Sequence, residues 1–128
     1  MIADLTTGKI IATAFCAGKM HDLKLFQCSR TALTCETLCL ADSGYQGILK
    51  EHEPSQTPKK RSKHHPLTEA DKASNRALSR RRIVIEHIFG RLKVFKILSE
   101  RYRNRRKRFG LRFNLIAAIY NRELPKDF

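Results

Sequence analysis

The strongest constraint on the fold of this 128-residue chain is a long segment in which apolar residues recur at helical spacing, beginning at "LTEADK". The spacing predicts an amphipathic helix from Leu67 to about Leu98. Thr68 and Asp71 occupy the two positions of a capping box at its start, although Glu or Gln is commoner at the second position. The apolar stripe consists of Leu78, Ile85, Ile88, Phe89, Leu92 and Phe95.

Shorter patterns predict further elements, and strands alternate with helices, which favours an α/β domain. The opening "IADLTTGKIIATAF" predicts a β-hairpin in which Gly8 adopts the positive φ of the turn. The stretch "GKMHDLKLFQCSRTAL" has helical spacing, with Asp22 placed as the N-cap. A buried strand is predicted at "ETLCLA", residues 36–41, so Asp42 stands at the carboxyl end of a strand.

The remaining segments are a loop and a last helix. Residues 51–66 are polar and contain three prolines, which predicts a loop with one short edge strand near Gln56 to Pro58. The apolar stretch "LRFNLIAAIYNREL" predicts a final helix that stops before Pro125.

Positive charge is concentrated in the second half of the chain. Residues 1–58 hold five Lys or Arg against six Asp or Glu, whereas residues 59–128 hold 21 against six. Such a density of cations predicts contact with nucleic-acid phosphates. An anionic membrane surface is the competing partner, but the basic half has no helix with a broad aromatic insertion face. We see no secretion signal, so cytosolic residence is expected.

Four cysteines, Cys16, Cys28, Cys35 and Cys39, lie in or near apolar stretches and are expected to be buried, reduced thiols. A zinc site that combines Cys35 and Cys39 with nearby histidines is the alternative. The paired short spacings that are typical of zinc sites are absent.

Two acidic residues stand out as candidates for chemistry. On a helix, Glu86 shares one face with Arg82 and Lys93, because offsets of four and seven residues keep them within roughly 40° of one another. The simpler interpretation of Glu86 is a surface ion pair with Arg82. Asp42 has a simpler interpretation as a turn residue before "SGYQG", while the ends of strands in α/β sheets are also where ligands bind.

Several segments together resemble one known family over nearly the whole chain. These are "GKMHDLKLF", "LADSGYQG", "TPKKRSK" and the stretch from "PLTEADK" to "LIAAIYN". They are similar to the C-terminal part of bacterial insertion-sequence transposases of the IS5 type, in the DDE superfamily. In that family an acid precedes Gly-Tyr at a strand end, and another acid stands in a Tyr, Arg, Glu, Lys signature. Arg82, Glu86 and Lys93 fit the signature, whereas Ser79 stands where the family has Tyr.

The resemblance implies a partial ribonuclease-H-like fold, formed by a hairpin, a helix, a strand, a long catalytic helix and a C-terminal helix. Residues 1–128 would be one catalytic-domain fragment, with a hairpin-helix-strand part at 1–50, the loop at 51–66 and a basic helical part at 67–128. The first central strand and its catalytic Asp would lie upstream, so impaired DNA cleavage and strand transfer are expected. An isolated chain of this kind is expected to be marginally stable.

The resemblance also implies site residues, a cofactor and partners. Asp42 and Glu86 would be catalytic and would bind a divalent ion, Mg²⁺ or Mn²⁺. The residues expected to bind DNA are Arg82, Lys93, Lys59, Lys60, Arg101, Arg103, Arg105, Arg106, Lys107 and Arg108. The expected partners are transposon ends and target DNA, with a second copy or a full-length transposase as a protein partner, in the bacterial cytoplasm at the nucleoid.

Two alternatives to an enzyme remain open. The chain would either be a basic nucleic-acid-binding protein without chemistry, or a module that binds a full-length transposase through its final apolar helix. In the second case Phe113, Ile116 and Tyr120 are the residues expected to mediate the contact.

Overall fold

The computed structural model describes residues 1–16 and 18–125, and it contains short strands and α-helices in alternation, as predicted. The strands are β1 (Ile2–Ala3), β2 (Ile10–Ala12), β3 (Cys39–Leu40) and β4 (Ser55–Gln56). The α-helices are α1 (Asp22–Ser29), α2 (Glu69–Leu92), α3 (Lys96–Ser99) and α4 (Phe109–Glu123). Short 3₁₀ turns occur at Ser43–Tyr45, Ile48–Lys50 and Arg106–Arg108. The chain divides into two compact units, one formed by Met1–Phe15 with the chain from Ile83 onward, the other by Cys16–Arg82.

The first unit begins with the predicted hairpin. Strands β1 and β2 pair in antiparallel fashion, and Gly8 has a φ of 67° in the turn between them. The carboxylate of Asp4 accepts hydrogen bonds from the Thr7 hydroxyl and the Thr6 N–H, at 2.6 and 2.9 Å. These bonds lower the pKa of Asp4, the Thr7 hydroxyl contributing most. Asp4 therefore has a local role in the turn.

The core of the first unit forms where the end of α2 and one face of α4 pack with the hairpin. Its buried residues are Ile10, Ile88, Leu92, Ile116, Ala117, Tyr120 and Leu124. Two polar side chains of α4 bond to the hairpin backbone. The Tyr120 hydroxyl donates to the Gly8 carbonyl at 3.1 Å, and the Asn121 amide both donates to and accepts from the Ile10 peptide at 2.8 Å. Asn121 thus pairs with the outer edge of β2.

The long helix ends earlier than its apolar pattern predicts. It stops at Leu92 instead of Leu98, and α3 starts again at Lys96. The N–H groups of Val94 and Phe95 bond to carbonyls three residues earlier, which tightens the helix end into a turn. Redirecting the chain lets Leu98 pack against the core, although the helical spacing alone suggests a continuous helix.

The inward face of α4 is the face that we expected to be free for a partner. Ile116 and Tyr120 are buried, and the Phe113 ring packs edge-on against Phe15 at 5.2 Å. The expectation that these three side chains bind another protein is therefore wrong, because they are needed for the core of their own unit. The exposed apolar side chains of α4 are Leu111, Leu115 and Ile119.

The second unit contains the strand that precedes Asp42. Strands β3 and β4 pair in parallel, with Cys39 opposite Ser55 and Leu40 opposite Gln56. The buried side chain of Ile48, in the connection between the strands, is 1% exposed. The predicted edge strand is thus confirmed close to its expected position, and the strand predicted at 36–41 is shorter than expected. The ribonuclease-H-like arrangement of a larger sheet stays a prediction.

Helix α1 begins one residue earlier than the predicted cap implies. His21 is the N-cap and Asp22 is the first helical residue, so the prediction of Asp22 as the N-cap is wrong. The reason is that its carboxylate is directed toward Gly44, where the space for a Cβ atom is occupied by Asp22 Oδ2. The helix ends at Arg30, which adopts a left-handed φ of 50°.

The four cysteines are free thiols, and the prediction that they are buried is wrong for most of them. Cys16, Cys28 and Cys35 are exposed and Cys39 is half-buried. Apolar neighbours suggested burial, but strand β3 includes only Cys39 and Leu40, so Cys35 falls in the preceding loop. Burial raises the pKa of the Cys39 thiol.

Within the described part of the chain, no helix combines the length and the apolar character needed to cross a membrane.

Candidate functional site

Asp42 stands close to where the sequence places it, two residues after the last residue of a strand. Strand β3 ends at Leu40, Ala41 is buried, and Asp42 is the N-cap of the 3₁₀ turn Ser43–Tyr45. One carboxylate oxygen, Oδ1, accepts a hydrogen bond from the Ser43 N–H. The side chain is nevertheless 59% exposed. The turn interpretation and the ligand-binding interpretation are therefore compatible, because capping uses one oxygen and leaves the other accessible.

The second oxygen of Asp42 faces a cation. Arg82 Nη2 lies 3.5 Å from Asp42 Oδ2, and the Arg82 side chain is only 23% exposed. Arg82 was expected either to bind DNA phosphate or to pair with Glu86. No Arg82–Glu86 ion pair occurs among residues 1–16 and 18–125, so the guanidinium is directed to Asp42. The helix thus presents Arg82 to the strand end.

A second acid and a phenol line the same turn. Asp22 of α1 lies against Gly44, so its carboxylate reaches the turn that carries Asp42. The Tyr45 side chain is half-buried. Burial raises the pKa of the Tyr45 phenol, and the negative charges of Asp22 and Asp42 raise it further. The phenol therefore stays protonated and neutral at physiological pH. Sequence reasoning assigned Asp22 only a capping role, and the approach of α1 to the turn carries no local sequence signal.

Glu86 lies in the part of α2 that belongs to the first unit, and its side chain is exposed. Within the described residues it forms no ion pair. Asp42 belongs to the other unit, so the convergence of the two carboxylates stays a prediction. An exposed carboxylate without a cationic partner remains available to a metal ion or to solvent.

The cation-rich tract extends over residues 101–108 and lies between α3 and α4. Its five Arg and one Lys are all exposed: Arg101, Arg103, Arg105, Arg106, Lys107 and Arg108. No acidic side chain of the described residues forms an ion pair with any of them. Like charges at this density repel one another, so a polyanion would bind here favourably.

Aromatic side chains anchor this tract, a feature that sequence reasoning missed. Tyr102 stacks edge-on against Phe109 with ring centroids 5.1 Å apart. Its hydroxyl donates to the Arg105 carbonyl at 3.3 Å and accepts from Arg112 Nη1 at 2.7 Å. Phe109 in turn packs against Phe15 at 5.6 Å. The backbone of the tract is thus attached to the first unit while its charges face solvent. The recurrence of Tyr and Phe around the Arg run was the available signal.

The other predicted DNA-binding residues differ in their surroundings. Lys93 is exposed and follows the end of α2. Lys59 pairs with Asp71 at 2.9 Å, and the Asn75 amide makes two hydrogen bonds with the Lys59 backbone. Lys60 is exposed. The Lys59 side chain remains 67% exposed, so the ion pair leaves it accessible to solvent.

Comparison with known proteins identifies the family. The sequence matches the family described as "Transposase DDE domain" over residues 1–122. This chain belongs to the DDE transposase family. It is 50% identical over 118 residues to a protein of Microchaete diplosiphon described as "Probable transposase for insertion sequence element IS702". That match covers 92% of this chain and 43% of the relative, so the chain spans less than half the length of this relative. No solved structure matches the chain significantly.

Family membership implies the general use of a divalent metal ion. Carboxylate oxygens are the donors that Mg²⁺ and Mn²⁺ prefer, and Mg²⁺ commonly takes one or two protein carboxylates and completes its shell with water and phosphate oxygens. The described residues contain no group of three His, Cys, Asp or Glu side chains suited to a metal. The accessible carboxylate of Asp42 fits a site with few protein ligands, in which water and nucleic acid supply the remaining ligands.

Proposed function

We propose that this DDE transposase chain binds DNA and takes part in metal-dependent phosphodiester cleavage and strand transfer during transposition. Asp42 and Glu86 are the proposed catalytic carboxylates. The observation that carries the proposal is the position of Asp42, whose exposed carboxylate follows a parallel-paired strand and lies 3.5 Å from Arg82, the Arg of the Arg, Glu, Lys signature.

Each group has a role that follows from its chemistry. Asp42 and Glu86 would hold the divalent ion, which when bound lowers the barrier to phosphodiester cleavage by stabilising charge on the reacting oxygens. Arg82 and Lys93 would bind backbone phosphates, the first in bidentate fashion and the second as a point charge. The tract at residues 101–108 would position the duplex without reading its sequence. We place this action in the bacterial cytoplasm, at the nucleoid.

DNA binding by the tract is tested through its salt dependence. Replacing Arg105, Arg106 and Lys107 with Gln should reduce the slope of log affinity against log salt by about 2.5 to 3, since each neutralised phosphate contributes about 0.9. Fluorescence anisotropy with a labelled duplex between about 50 and 200 mM KCl measures this slope.

A matched control variant removes three cations elsewhere. Lys9, Lys19 and Lys24 are exposed and lie in the half of the chain that has no excess of positive charge. Their replacement with Gln should change the slope by less than about one. Equal slopes for the two triple variants would show that the tract is not the DNA-binding surface.

The chemical part of the proposal is tested with Asp42→Asn and Glu86→Gln. Both changes should weaken Mn²⁺ binding in the presence of DNA and abolish any metal-dependent nicking, while DNA affinity is kept or increases because a negative charge is lost. Metal-dependent nicking that survives both changes would eliminate these residues as catalytic. Strong DNA binding without metal binding would identify the chain as a nucleic-acid-binding protein without chemistry.

A second candidate function is an interaction module, favoured by the outer face of α4. Leu111, Leu115 and Ile119 are 72%, 63% and 38% exposed and stand four residues apart, so they form one apolar stripe. Co-purification with a full-length transposase tests this candidate. Capture should depend on Leu115 and not on the exposed Val94, which lies outside α4 and is 79% exposed.

A further inference from the structure

The ion pair between Asp42 and Arg82 joins the two groups that the proposed function assigns to different ligands. Arg82 Nη2 lies 3.5 Å from Asp42 Oδ2, while Asp42 Oδ1 already accepts the Ser43 N–H. Within the part of the chain that the structure describes, no backbone group bonds to Oδ2, the oxygen that faces Arg82. In the state that the structure shows, the guanidinium neutralises the carboxylate.

Arg82 differs in this respect from the cations beside it on α2. Its side chain is only 23% exposed, whereas Arg80 and Arg81 are exposed. Among the described residues neither Arg80 nor Arg81 forms an ion pair. Asp42 thus interacts with one particular arginine, which is partly shielded from water, so the attraction between them is screened less than at a fully exposed pair.

We propose that the Asp42–Arg82 pair couples metal binding to phosphate binding. A divalent ion that takes Asp42 Oδ2 displaces the guanidinium, and the released Arg82 binds a DNA phosphate. In the absence of both ligands, Arg82 holds the carboxylate and competes with the metal. This inference rests on the proposed function, because it assumes that Asp42 binds metal and that the chain binds DNA.

The linkage has two measurable consequences. Loss of the guanidinium should strengthen metal binding to the DNA-free protein, because the competitor and its positive charge are both removed. It should also reduce the factor by which DNA strengthens metal binding, since thermodynamic linkage makes the two effects reciprocal. Because the Asp42–Arg82 pair is partly exposed, we expect a change in Mn²⁺ affinity near the low end of the range usual for coupled binding sites. The expected change is about three- to tenfold.

The test measures Mn²⁺ affinity from the paramagnetic broadening of the Ser43 and Gly44 amide signals, with and without duplex DNA. Arg82→Gln should increase Mn²⁺ affinity about three- to tenfold without DNA and should lower the enhancement by DNA by a similar factor. Arg82→Lys keeps the positive charge and should behave more like the unmodified chain. Arg81→Gln, which removes the same charge from the adjacent position, should leave both quantities nearly unchanged.

The outcomes separate this inference from the proposed function. Equal Mn²⁺ affinities for Arg82→Gln and Arg81→Gln would refute the coupling while leaving the metal site intact. Mn²⁺ binding that persists in Asp42→Asn, or no Mn²⁺ binding by the unmodified chain with DNA present, would overturn the proposed function and the coupling with it. The amide spectrum also shows whether each variant is folded, and Arg82→Lys supplies the comparison if Arg82→Gln unfolds.

Discussion

Replacing Asn121 with Ala tests whether a side chain of α4 completes the edge of the hairpin. The Asn121 amide accepts from the Ile10 N–H and donates to the Ile10 carbonyl, both at 2.8 Å. Ile10 is 7% exposed, so water has little access to its peptide group once the amide is removed. The change therefore leaves a donor and an acceptor of the backbone without partners in a buried position.

The expected cost follows from these two bonds. Each contributes about 1 kcal/mol net, and an unsatisfied buried partner adds to the loss, so the gross cost is about 2 to 3 kcal/mol. Alanine has a higher helix propensity than asparagine, which offsets about 0.5 kcal/mol of this cost. The net destabilisation of the first unit should be about 2 kcal/mol. Protection of the Ile10 amide from hydrogen exchange should fall about 30-fold, because 1.4 kcal/mol corresponds to a factor of ten.

Hydrogen exchange measured by NMR, together with urea unfolding, checks this value. Asn114→Ala is the matched control, since it makes the same change on the same helix at an exposed position. Among residues 1–16 and 18–125, the Asn114 side chain forms a hydrogen bond only with the Thr13 hydroxyl. The control should gain the same helix propensity and cost less than about 0.5 kcal/mol. Similar destabilisation by the two variants, or unchanged protection of Ile10, would show that the amide does not stabilise the strand edge.

Three further changes test the packing, a backbone conformation and an ion pair. Ile88→Ala should destabilise the first unit by about 2 to 5 kcal/mol through loss of a side chain that is 2% exposed, whereas Ile83→Ala at 47% exposure should cost much less in urea unfolding. Arg30→Gly should raise the melting temperature, since the left-handed φ of 50° favours Gly by up to about 1 kcal/mol, and no gain would argue against that conformation. Bonds from Lys59 and Thr68 lower the pKa of Asp71 below its ordinary value of 3.8. The ionised Asp71 carboxylate therefore stabilises the folded chain above pH 3.8, and this contribution is lost as pH falls through the lowered pKa. Asp71→Asn should therefore be less stable than the unmodified chain at neutral pH, with a difference that shrinks in acid and that acid titration of the unfolding midpoint measures.

Elements with a local cause were predictable from the sequence. The hairpin follows from "TTGK", in which Gly8 supplies the positive φ, and the capping box is confirmed by reciprocal hydrogen bonds of 3.1 Å between Thr68 and Asp71. Helix α4 and the strand end before Asp42 are also where the patterns placed them. The family signature identified the candidate acids and the DDE transposase family.

Other predictions failed because they depended on contacts between distant parts of the chain. The helix pattern continued past Leu92, but the chain turns there and lets Leu98 reach the core. Apolar neighbours suggested that Cys16 and Cys28 are buried, yet both side chains are exposed. Similarly, hydropathy marked α4 as apolar without showing that Tyr120 faces inward and Leu115 outward.

The sequence by itself determined the types of elements, the concentration of positive charge in the second half and the identity of the two candidate acids. These properties depend on residue spacing, turn chemistry and charge, which are local. Only the tertiary structure decided that Arg82 pairs with Asp42, that Asn121 completes the edge of β2 and that aromatic rings anchor the cationic tract. A charge or an amide has many chemically equivalent partners in the sequence, and the packing of the folded chain selects among them by bringing one within reach.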